Sequence, residues 1–102
     1  MSEFPEYKLV PQSHVVRVKK INPLHPSYLN LIGFERVLNL SRCDECLFLS
    51  YVASPGASWM VRVIISPKKD GDTVNANETY IGTICQDSEK PVQYFMQWSQ
   101  DF

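Results

Sequence analysis

Turn signals recur along this chain too often for a helix of ordinary length to form between them. Asn22-Pro23-Leu24-His25-Pro26, Ser54-Pro55-Gly56 and Asp70-Gly71 interrupt it, and each is a strong local breaker of regular structure. The apolar runs between these breaks have strand length and are rich in β-branched and aromatic residues. Trp59–Ser66 is the clearest, with Trp59, Val61, Val63 and Ile65 alternating against Met60, Arg62 and Ile64. That period of two places one set on a buried face and the other outside.

The same reading places a first strand at His14–Ile21, with Val16 and Val18 on one face and Val15, Arg17 and Lys19 on the other. Phe34–Leu40 and Cys46–Ala53 flank the polar segment Arg42-Cys43-Asp44-Glu45-Cys46 and read as a hairpin. Phe34, Leu38 and Leu40 are expected on one face of its first arm; Leu47, Leu49 and Tyr51 share a face of the second. Pro55-Gly56 suits the centre of a type II turn. A long polar loop covers 67–77, a strand follows at Tyr80–Cys85, and Gly82 within it marks a bulge or a close backbone approach. Gln86–Pro91 turns again, and Val92–Trp98 is the last strand, with Val92, Tyr94, Met96 and Trp98 on one face. Between Pro26 and Gly33 a short helix is expected, because proline suits a first helical position, glycine a stop, and Leu29 and Ile32 share an i, i+3 face. An extended connection is the alternative there.

The expectation is a mostly β fold: a small antiparallel barrel or sandwich of about six strands with one short helix near 26–33, and α+β as the alternative. A chain of 102 residues has room for one domain. Residues 1–13 read as an N-terminal arm and 14–102 as a single β-rich domain. Apolar residues at 44% and charged ones at 21% exclude a disordered chain. No stretch approaches the ~18 apolar residues of a membrane span. The first residues lack the basic start and apolar run of a signal peptide, and the odd count of three cysteines does not suit a disulfide framework. The chain is expected to be intracellular and cytoplasmic, with no membrane partner.

Little in the sequence carries catalytic chemistry. His14 and His25 stand in no motif, no carboxylates pair outside turns, and the glycines are too scattered for a phosphate loop. The expectation is no enzyme, no cofactor and no metal. Cys43 and Cys46 have C-x-x-C spacing, but a zinc site needs four ligands, and Cys85, His14 and His25 are isolated in sequence. If a two-residue loop joins them, these two cysteines face each other across the ladder. A small zinc-binding domain using Cys43/Cys46 is therefore one alternative.

A net charge of −1 opposes strong non-specific nucleic-acid binding. The charge is uneven, with six basic and three acidic residues in 1–42, and four basic and eight acidic in 43–102. Arg17, Lys19 and Lys20 on the first strand and Lys68 and Lys69 in the loop are candidate binding residues, with aromatics such as Tyr51, Trp59, Tyr80, Phe95 and Trp98 for stacking. A small β-barrel binding single-stranded nucleic acid is thus a second alternative. The leading expectation is a protein-interaction module, an inhibitor or an accessory or regulatory subunit, with Trp98 among its contact residues. Edge strands would also serve a homodimer or accept a partner's strand.

Overall fold

The computed structural model describes residues 13–85 and 90–99. Its regular elements are seven strands: β1 (Val15–Ile21), β2 (Ser27–Ile32), β3 (Phe34–Cys43), β4 (Cys46–Ala53), β5 (Met60–Lys68), β6 (Thr79–Ile84) and β7 (Val92–Trp98). They form two antiparallel sheets, ordered β1-β4-β3 and β2-β5-β7-β6. The described residues contain no helix, so none is long and apolar enough to cross a membrane.

The two sheets grow from one long hairpin bent in its middle. β3 and β4 pair around the loop Asp44-Glu45, and β2 and β5 continue the same two-stranded ribbon in the second sheet. At the bend Gly33 donates its N–H to the Trp59 carbonyl, and its own carbonyl accepts from Ser54 N–H. Gly33 has φ +67, and a Cβ there would lie 2.7 Å from the Ser54 carbonyl oxygen. Glycine is the residue that accepts both the left-handed backbone and this approach. Opposite the bend, Ala57 N–H reaches the Ser54 carbonyl and Gly56 has φ 73, the conformation expected of Pro55-Gly56 in a type II turn.

Strand β1 then pairs with β4, β7 with β5, and β6 with β7. The inner faces bury Leu31, Leu47, Leu49, Val63 and Ile65 together with Tyr51 and Tyr94. Each such side chain contributes roughly 1.5–3 kcal/mol relative to exposure. Among the described residues no polar or charged residue is buried. The Tyr94 hydroxyl donates to the Pro23 carbonyl at 3.0 Å, which ties the β1–β2 connection to the inner face of β7.

The structure is a sandwich rather than a closed barrel. The short helix expected near 26–33 is instead the strand β2, which also raises the strand count to seven. Leu29 and Leu31 turn inward while Tyr28, Asn30 and Ile32 are exposed. Pro26 and Gly33 bound this segment as strand ends, and pairing with β5 satisfies the backbone that an isolated two-turn helix would leave to water. The α+β alternative has no helix to rest on among the described residues. On β3, Leu38 is exposed rather than sharing a face with Phe34 and Leu40. Register shifts between Phe34 and Arg36 and between Val37 and Asn39 change the phase, so that Phe34, Val37 and Leu40 share the inner face. Apart from Ser13, the expected arm lies outside the described residues, as does most of the expected 86–91 turn.

Candidate functional site

The two long sides of the sandwich differ. On one, β3 packs against β6, and Leu40 fills the space over Gly82, where a Cβ would come within 3.1 Å of Leu40 Cδ1. Both readings of Gly82 hold, because β6 also shifts register between Tyr80 and Gly82. On the other side a groove of about 420 Å³ opens along β1, lined by Val16, Arg17, Val18, Lys19, Ile32 and Tyr51.

The register explains what lies in that groove. Val15, Arg17, Lys19 and Ile21 stand in register with Ala53, Tyr51, Leu49 and Leu47, the buried positions of β4. The inner face of β1 is therefore apolar at its ends and cationic in its middle. Arg17 and Lys19 stay exposed while the residues beside them are fully buried. Long basic side chains do this by laying the alkyl stem over apolar surface and keeping the charge in water. Val16 (63% exposed) and Val18 (55%) project from the opposite face, with Lys20 beyond them. Burial raises the Tyr51 phenol above its usual pKa, while the Arg17 charge and the Ile32 backbone amide oppose the shift more weakly.

Of the sequence-predicted residues, Arg17 and Lys19 share the groove and Lys20 lies on the other face of the same strand. Trp98 ends β7 half-exposed. Phe34 contacts it edge-on at 5.7 Å and also meets Tyr51 at 5.8 Å, so a chain of rings leads from Trp98 to the groove floor. Lys68 and Lys69 line a separate concavity on the other sheet, beside Asp70, Asp72 and Lys90. There Lys68 pairs with Glu78 (3.5 Å) and Lys90 with Asp70 (3.8 Å), so that surface is charge-balanced. The basic stripe expected across 17–20 and 68–69 is split between these two places. The stacking aromatics are split as well: Tyr80 and Phe95 meet edge to face, in register on the outer side of the four-stranded sheet, whereas Tyr51 is buried.

Cys43 and Cys46 face each other across the ladder, flanking Asp44-Glu45, with Asp44 at φ 57. Both are free thiols, as is Cys85, which lies at the end of β6 in a concavity with Arg42 and Asp44. Among the described residues no three of His, Cys, Asp and Glu group in a way that could hold a metal ion.

Four strands have an outer edge in these sheets. β3 and β6 are interrupted by bulges, and β2 is six residues long between Pro26 and the Gly33 bend. β1 pairs with β4 over seven residues in unbroken register, and its outer edge meets no strand among the described residues. The sequence reading placed Arg17, Lys19 and Lys20 correctly on this strand and named Tyr51 among their aromatic companions, but missed Val16, Val18 and Ile32. The available signal was Ile21, which shares a face with Arg17 and Lys19 and so identifies that face as the inner one. Comparison with protein-family models, with curated proteins and with solved structures finds no match for this chain.

Proposed function

We propose that this domain is a non-enzymatic protein-interaction module, an inhibitor or accessory subunit of a larger protein, which binds through the β1 edge. The observation that carries the reading is the regular, unbulged edge of β1 with exposed Val16 and Val18 on one face. An edge of this kind offers main-chain donors and acceptors to an incoming strand, and alternate side chains supply selectivity. The other edges carry bulges or flanking breakers, devices that discourage strand addition.

The test is a partner captured in defined stoichiometry from the source cells. Binding should be lost when Val18→Pro removes a β1 N–H, and should survive Val74→Ser in the distant loop. Circular dichroism would confirm that both variants fold. A partner that binds Val18→Pro as well as the parent would overturn the edge reading. Single-stranded nucleic-acid binding is the competing outcome. It predicts a salt-sensitive rise in anisotropy of a labelled oligonucleotide, strongest at low salt. The separation of the β1 cations from Tyr80 and Phe95 favours the protein reading.

A further inference from the structure

We infer that the strand accepted by the β1 edge is an acidic one, with carboxylates on the face beside Arg17 and Lys19 and apolar residues beside Val16 and Val18. This rests on the reading of β1 as the interaction edge and names the chemistry of what fits there.

Three observations carry it. β1 holds Arg17, Lys19 and Lys20 and no acidic residue, and no acidic residue lines the groove. Neither Arg17 nor Lys19 forms an ion pair among the described residues. Both point to the inner side, where a strand added beside β1 would place every second side chain next to them.

The same charges bear on the other occupants. In a second copy pairing β1 with β1 antiparallel about Val18, Arg17 of each chain would stand directly across from Lys19 of the other on the inner face. Like charges directly across a ladder are destabilising. A neutral apolar strand would leave both cations partly desolvated without partners. An acidic strand converts the feature that blocks self-pairing into one that selects a partner. Sheet order gives it a place. β1-β4-β3 is one strand narrower than β2-β5-β7-β6, and the other side is closed by β3 against β6, so the position that no described strand fills adjoins β1.

The experiment uses the full chain, isotope-labelled for NMR, and an end-capped alternating Val/Glu peptide as long as β1. Alternating Val/Thr and Val/Lys peptides serve as controls. The Val/Glu peptide should shift β1 resonances and slow hydrogen exchange at alternate β1 amides, and it should bind more weakly as salt rises. Arg17→Gln/Lys19→Gln, which keeps much of the covering stems, should bind it roughly tenfold more weakly, the loss expected for two exposed ion pairs.

The failures are distinguishable. If Val/Thr protects β1 as well as Val/Glu, acid selectivity is wrong while the edge reading stands. If no peptide protects β1, both are wrong. If Val/Glu shifts only the Lys68, Lys69 and Lys90 region, attraction without strand addition is the explanation and the inference falls. If the β1 amides are already protected without peptide in dilute protein, and deletion of residues 1–12 abolishes that protection, the chain's own N-terminal segment is the occupant and the inference falls.

Discussion

The row through Leu49 sets the two sides of the sandwich next to each other. Leu49 is fully buried; on one flank it pairs with Leu40 of β3, and on the other with Lys19 of β1. One row further along, Tyr51 lies between Val37 and Arg17. The β3 flank supplies apolar side chains and bulges, its Leu40 fills the gap at Gly82 of β6, and that side closes. The β1 flank supplies cations in the same row positions, and among the described residues no strand covers that side. Edge strands invite unwanted pairing, and proteins restrain them by bulges or by inward-pointing charges. Both devices occur here on opposite sides. The first breaks the regular hydrogen-bonding pattern of an edge, whereas the second leaves that pattern regular and sets charge beside it.

Substitutions in four places test that contrast. The largest effect is expected at the bend both sides share. Gly33→Ala would force a side chain into the left-handed region and against the Ser54 carbonyl. It should cost roughly 3 kcal/mol in urea denaturation, combining backbone strain with overpacking. A loss below about 1 kcal/mol would show that the bend relaxes easily and does not hold the two sheets in register. Next comes the closed side. Gly82→Val would push against Leu40 and should cost about 2 kcal/mol. If it is neutral, the β3–β6 contact is loose and the two sides are more alike than the packing indicates.

The elements most readable in the sequence were those with unlike faces. β4 alternates half-buried and buried residues along its whole length, and β5 and β7 bury every second residue near their middles, so a period of two identified them. The two-residue loop between Cys43 and Cys46 was readable for a related reason, because short polar spacing between two strands restricts the turn. β2 was misread because Pro26 and Gly33 bound a strand as well as they bound a helix, and Leu29 with Ile32 matched a helical spacing by coincidence. What decides that case is pairing with β5, whose partner residues run from Ile65 opposite Ser27 to Met60 opposite Ile32, far beyond any local window. On β3 the face assignment failed because a bulge resets the alternation without leaving a mark in composition. The candidate site was half legible. Its cations stood out on β1, but the groove they line also depends on Tyr51, set beside Arg17 by the β1–β4 register, and on Ile32, which comes from the other sheet.

The third place is the pair of buried phenols, Tyr51 and Tyr94. Burial raises both Tyr51 and Tyr94 above 10.0. The folded chain therefore holds these protons more tightly than the unfolded chain. Their contribution is intact below the unfolded value and is lost as pH rises through the folded one. Tyr94→Phe should cost about 1 kcal/mol at neutral pH through the hydrogen bond to Pro23. Between about pH 9 and about pH 11 the parent should lose more stability than the variant. Parallel urea midpoints for the two across that range would show that Tyr94 is not held neutral by burial. Tyr51→Phe should flatten the alkaline loss less, because the Arg17 charge already favours its phenolate.

The smallest effect on stability and the sharpest test of the comparison lie on β1. Arg17→Leu/Lys19→Leu replaces the two inward charges with the kind of residue that Leu40 provides on the closed side. These positions are exposed, so stability should change by less than about 0.5 kcal/mol. Self-association is the property that should change. With the cations gone, only Lys20 is left to oppose pairing of two β1 edges, and Val16 and Val18 add apolar area on the other face. Light scattering coupled to size exclusion should show the parent monomeric and the variant forming dimers or larger species as concentration rises. A variant that stays monomeric would mean that something other than charge guards the edge, and the acidic-strand inference would lose its premise. A variant that dimerises with no change in unfolding would show that Arg17 and Lys19 act on what the edge meets, and hardly at all on whether the sandwich forms.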